Sequence, residues 1–98
     1  MRQGEFNTII HAPIRLQICA LLAPLEEAKF RILREELNVS DSVLSKHIKQ
    51  LEEAGYVKQN KRKAGDRQQT WVQLSGTGRK AFKAHVEALK QLVGFAET

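Results

Sequence analysis

Apolar side chains along the first half of the chain recur at helical spacings. Ile14, Ile18, Leu21 and Leu22 fall three and four residues apart between Pro13, which suits a first helical turn, and Pro24, which stops one. They predict a first helix over 12–23. Phe30, Leu33 and Leu37 form one stripe of a second, shorter helix over 26–37, with Glu26 and Glu27 in its first turn, where the helix dipole favours them. Residues 38–40 interrupt it. Ser40 or Asp41 can cap a third helix that runs until Gly55, a residue suited to the left-handed position just past a helix end. In that helix Leu44, Ile48 and Leu51 make the buried stripe. At about 100° per residue the opposite side carries Ser42, Ser45, Lys46, Lys49 and Glu53, a polar face without bulky groups.

After Gly55 the period changes to two. Residues 56–60 and 69–74 are β-prone runs of alternating polarity and predict a hairpin, with Trp71 expected to pack against the third helix. The connection, 61–68, holds Gly65-Asp66 for the turn and the basic residues Lys61, Arg62, Lys63 and Arg67, so it should project into solvent as a charged tip. Ser75 can cap a last helix of about four to five turns, and Gly76 and Gly78 read only as a loose helix start. Its stripe is Phe82, Val86, Leu89 and Val93, widened by Leu92 and Phe95. Residues 1–10 lack a long period, and Phe6, Ile9 and Ile10 are expected to pack on something from a partly ordered lead-in.

The 98 residues contain no repeat, low-complexity stretch or linker, so the chain, 1–98, is expected to be one domain. A chain of this size buries roughly 60 to 70% of its unfolded surface, enough for one modest core but not for a deep substrate pocket as well. The longest apolar run, 18–23, is far shorter than the roughly 20 residues a bilayer requires. The first ten residues show no signal-peptide core, so a soluble, cytoplasmic protein without a membrane partner is expected. A single cysteine, Cys19, excludes an internal disulfide and a zinc finger; inside an apolar run it reads as core rather than as a redox sensor. His11, Cys19, His47 and His85 have no usable close spacing, so no metal and no cofactor is expected. No catalytic set or nucleotide fingerprint appears, and an enzyme is not expected.

Charge changes the picture more than composition does. The net charge is +5, and residues 42–67 alone hold seven basic and three acidic side chains. Residues 24–40, with three basic and four acidic, read as a mixed solvated surface. A local basic block on a near-neutral remainder is the footprint of a polyanion binder.

Three helices, a basic-tipped hairpin and a long closing helix make an α+β, mainly α arrangement: a helix-turn-helix with a wing. Its third helix would lie in the major groove of double-stranded DNA and its hairpin on the backbone or in the adjoining minor groove. The DNA-binding set expected on this basis is Ser42, Ser45, Lys46 and Lys49 on the helix and Lys61, Arg62, Lys63 and Arg67 on the wing. A plain solvated face is the competing reading of the lysines. His47, at the edge of the buried stripe, reads as a hydrogen-bonded structural histidine rather than a base reader.

The stretches HAPIRLQICALL, VSDSVLSKHIKQLEEAGYVK and TWVQLSGTGRKAF resemble short winged-helix transcriptional regulators of the MarR and ArsR kind, over about residues 10–85. Ser45-Lys46-His47-Ile48 with Leu51-Glu52-Glu53-Ala54-Gly55-Tyr56-Val57 is similar to that family's S-x-H-L and L-E-x-x-G-L-V pattern. Gly65-Asp66-Arg67 is similar to its wing tip, and Leu74-Ser75 through Gly78-Arg79 to Phe82 is similar to its L-T-x-x-G-R-x-x-F. The resemblance implies a homodimeric repressor on a near-palindromic operator. The chain departs from metal-sensing members by lacking their cysteine ligands. It also lacks the extra helices that enclose a small-molecule pocket in longer members, so any effector stays open. Residues 1–11 and 76–98 carry more apolar surface than one core uses, which points to a dimer interface of Phe6, Ile9, Ile10, Leu89, Leu92, Val93 and Phe95. The other class of function is a winged helix used for protein interaction or assembly without sequence-specific DNA binding.

Overall fold

A computed structural model describes residues 6–97. Elements run in the order α1 (Thr8–His11), α2 (Pro13–Leu22), β1 (Ala28–Lys29), α3 (Phe30–Leu37), α4 (Asp41–Glu53), β2 (Val57–Ala64), β3 (Arg67–Leu74) and α5 (Gly76–Glu97). The sheet is antiparallel with order β1-β3-β2, so the fold is mainly helical with a three-stranded wing sheet.

Local signals set most helix ends. Pro13 opens α2, the Ser40 hydroxyl accepts the Val43 N–H at the start of α4, and Gly55 follows α4 with φ +81°. Asn38 adopts φ +53° and ends α3, its N–H donating to the Glu35 carbonyl. The core gathers Ile10, Ile18, Leu22, Leu33, Leu44, Ile48 and Leu51 from four helices onto Val57, Val72 and Leu74 of the sheet, with Cys19 fully buried among them.

Four expectations change. The second helix begins at Phe30, not residue 26, because Ala28 and Lys29 pair with Val72 and Trp71 as a strand; Glu26 and Glu27 therefore lie outside its first turn. The lead-in ends in a helical turn, α1, capped by Asn7, whose Oδ1 accepts the N–H groups of Ile9 and Ile10; residues 1–5 of that lead-in lie outside the described part. The last helix has 22 residues, about six turns, because residues 90–97, which carry Leu92, Val93 and Phe95 exposed, continue the ladder beyond the core. Trp71 does not serve as a contact to α4: alternation along β3 turns Val72 and Leu74 inward and Trp71 to the other face, beneath the cations of Lys29 (5.4 Å) and Arg62 (5.0 Å).

Gly76 and Gly78 do lie in the first turn of α5, and Gly78 is also a point of close approach. A Cβ there would lie 2.0 Å from the Tyr56 carbonyl oxygen, so only glycine lets α5 approach the turn after α4. Ser75 completes the junction: its hydroxyl donates to the Gly55 carbonyl at 2.6 Å and accepts the Gly78 N–H at 2.9 Å, and its own N–H donates to the Tyr56 carbonyl.

Candidate nucleic-acid interface

The rotation of α4 about its axis is set by Leu44, Ile48 and Leu51, all fully buried. Ser42, Ser45, Lys46 and Lys49 consequently stand on its exposed side, together on one surface. The flank of the helix is clamped by Arg15 of α2, which donates to Gln50 Oε1 at 2.6 Å, to Nδ1 of His47 at 3.1 Å and to the Ile9 carbonyl. His47 is thus half-buried and hydrogen-bonded; burial first, and the neighbouring Arg15 charge second, hold its pKa below the ordinary histidine value. Arg15 carries no sequence signal for this role, since its partners lie 32 and 35 residues away.

The wing differs from the expected loop. Its strands pair out to Ala64 opposite Arg67, leaving Gly65-Asp66 as a two-residue turn with positive φ at Gly65 only, the pattern of a type II′ hairpin. Alternation then sorts the basic residues. Lys61 and Lys63 pair with Thr70 and Gln68 and are exposed. Arg62, on the opposite face, donates two hydrogen bonds to Glu27 (2.8 and 2.7 Å) and lies over Trp71. The Arg62 hydrogen bonds lower the Glu27 pKa, while burial pushes against them. Arg67 is exposed beside the turn. Alternation among uniformly polar residues leaves no hydrophobic trace, which is why the sequence showed a loop here.

Of the expected interface residues, Phe6, Ile9, Leu92, Val93 and Phe95 are exposed and Leu89 is half-buried. Ile10 is a correction: it is fully buried in the core of its own chain, because the Asn7 cap turns α1 inward. Among the described residues no three His, Cys, Asp or Glu side chains group as metal ligands, although His11 and His85 meet at 3.1 Å. No helix among the described residues is long and apolar enough to cross a membrane.

Comparison with known proteins agrees with this geometry. The winged helix DNA-binding domain family matches residues 14–93. An uncharacterized protein of Methanocaldococcus jannaschii is 38% identical over 84 residues, 86% of this chain and 91% of that protein. The solved transcriptional regulator homologue of Pyrococcus horikoshii is 31% identical with a TM-score of 0.86, covering 92% of this chain and 89% of that one. HlyU of Vibrio cholerae is 32% identical with a TM-score of 0.63, over 86% and 83% of the two chains. With an exposed polar helix, a basic wing and this match over most of its length, the chain belongs to the winged helix DNA-binding domain family.

Proposed function

We propose that this protein is a sequence-specific transcriptional regulator that binds a near-palindromic operator as a homodimer and represses by occluding a promoter in the cytoplasm. The observation that carries the reading is the surface of α4: four small or basic side chains on one exposed side, beside a hairpin whose Lys61, Lys63 and Arg67 are free to meet phosphate. Ser45 and Lys49 would meet base edges in the major groove and Ser42 and Lys46 would flank them; Lys61 and Lys63 would meet backbone. Arg67, beside a glycine turn, suits a narrow A·T-rich minor groove. Arg62 contributes less to DNA, since Glu27 holds its guanidinium. Residues 1–98 act as one unit, with Phe6, Ile9, Leu89, Leu92, Val93 and Phe95 in the dimer interface.

Titration of alanine variants on a selected operator and a scrambled duplex at several salt concentrations tests this. Lys49→Ala should cost roughly 1 to 3 kcal/mol on the operator and much less on scrambled DNA. Lys63→Ala should weaken both and lessen the salt slope by about 1.8 per dimer, with a smaller change for Arg62→Ala. Equal losses on both duplexes for Lys49→Ala would remove α4 as the reading element.

A further inference from the structure

Among the described residues of α4, Leu44, Ile48 and Leu51 are fully buried, and Val43 alone of its apolar side chains stands out, 40% exposed. Val43 is the third residue of the helix, and its N–H donates to the Ser40 hydroxyl at 3.2 Å, so the capped first turn fixes its backbone. At about 100° per residue it lies roughly 60° around the axis from Lys46 and about 20° from Gln50. It therefore borders the exposed face, next to the flank that Arg15 holds through Gln50. A β-branched side chain in a helix keeps one strongly preferred rotamer, so Val43 would lose little freedom on binding. It belongs neither to the buried stripe nor to the polar face, which is why helical periodicity assigns it no role.

A single exposed apolar residue is common on protein surfaces. What gives this one meaning is its element, since the first turn of a recognition helix is the part that reaches base edges in a helix-turn-helix complex. In the major groove every base presents hydrogen-bonding groups, and thymine alone adds an apolar one, its C5-methyl. The valine side chain has no hydrogen-bonding atom. Set against any other part of a base edge it would strip water from donors and acceptors without replacing it, which costs free energy. We infer that Val43 is a specificity-determining residue that packs on the C5-methyl of a thymine in each operator half-site. The inference rests on the DNA-binding reading above and names a base that the reading leaves open. Ser45 and Lys49 supply the polar contacts, and Val43 adds an apolar one at the end of α4 nearest the Ser40 cap.

Uracil differs from thymine only by that methyl, which makes the base swap a clean probe. An operator is first selected from random duplexes, and each thymine is then replaced by deoxyuridine in both half-sites together. Fluorescence anisotropy follows binding of the wild type, Val43→Ala, Val43→Ser and Lys49→Ala at one salt concentration. For the wild type, one such position should weaken binding about fourfold per half-site, or roughly fifteenfold for the symmetric pair, the worth of one buried methyl on each side. Val43→Ser should bind the operator less tightly and no longer distinguish thymine from uracil there, while Val43→Ala, which keeps one methyl, should retain part of the distinction. Lys49→Ala should lose affinity yet keep the distinction in full. Alanine is the better helix former, so thermal unfolding of Val43→Ala should match or exceed the wild type. If no uracil position weakens the wild type while Lys49→Ala still loses its preference for the operator, α4 reads DNA without Val43 and the inference is overturned. A uracil-sensitive position that stays sensitive in Val43→Ser assigns the methyl to another side chain and overturns it equally. Light scattering that shows Val43→Ser monomeric where the wild type is dimeric would place Val43 between copies of the chain instead. If selection returns no preferred sequence at all, the sequence-specific reading itself fails.

Discussion

Nε2 of His85 lies 3.1 Å from Nδ1 of His11. The other ring nitrogen of His85 accepts the backbone N–H of Asn7 at 2.9 Å, so the imidazole is neutral with its proton on Nε2, donated toward His11. Phe6 covers both rings, with centroids 4.5 and 4.8 Å away, and Asn7 also donates to the Tyr56 hydroxyl. His85 is fully buried, while Phe6 and His11 stand exposed over it, and the cluster ties α1 to α5.

Protonating His85 would set an N–H against the Asn7 N–H. Burial, then the charge of His11, hold the His85 pKa below its ordinary value; for a histidine with a lowered folded pKa, stability is complete above the unfolded value and falls as pH drops below it. Unfolding free energies from urea titrations should therefore decline from about pH 6.5 downward, by at most roughly 1.4 kcal/mol per pH unit for each such histidine. His85→Gln should be less stable at pH 7.5 but lose less on acidification, the remainder coming from His47. An unchanged acid slope in that variant would show that His85 does not govern it.

Gly78→Ala should destabilise the fold by about 1–3 kcal/mol through overpacking, since the methyl would meet the Tyr56 backbone rather than a movable side chain. Gly76→Ala, where nothing lies within 4 Å, serves as the control and should be close to neutral. Chemical denaturation of both variants checks this; equal midpoints would be inconsistent with the close approach.

Burial pushes the Cys19 thiol up to about 11, so it should resist a maleimide reagent in the folded protein and react on unfolding. Cys19→Ser should retain DNA affinity and cost about 1–3 kcal/mol of stability, because a hydroxyl would be placed in an apolar site. Affinity abolished by a chelator, or altered by oxidation only when Cys19 is present, would count against a metal-free and disulfide-free interface.

Leu92 and Val93, each 55% exposed, and Phe95, 73% exposed, are large apolar side chains on the last turns of α5. Ending the chain at Leu89 should convert dimers to monomers while leaving the core intact, since that core draws nothing from residues 90–98. Light scattering at tens of micromolar reads the outcome directly. A single 11.1 kDa species for the intact protein would sink the dimer.

The helices of the recognition unit were legible because their determinants are local. Ser40 caps α4 three residues from its acceptor's partner N–H, Gly55 ends it, and the Leu44, Ile48, Leu51 stripe faces the core whatever the rest of the chain does. Residues whose role depends on distant strands or helices were not legible. Ala28 and Lys29 become a strand only when β3 is beside them, although their own sequence continues a helical pattern. Arg62 meets Glu27 across 35 residues, Asn7 meets His85 across 78, and Ile10 leaves the surface because that cap turns it inward. Local periodicity determines which face of an element is apolar; which polar groups satisfy one another is decided only when packing brings separated backbone and charge within hydrogen-bond reach.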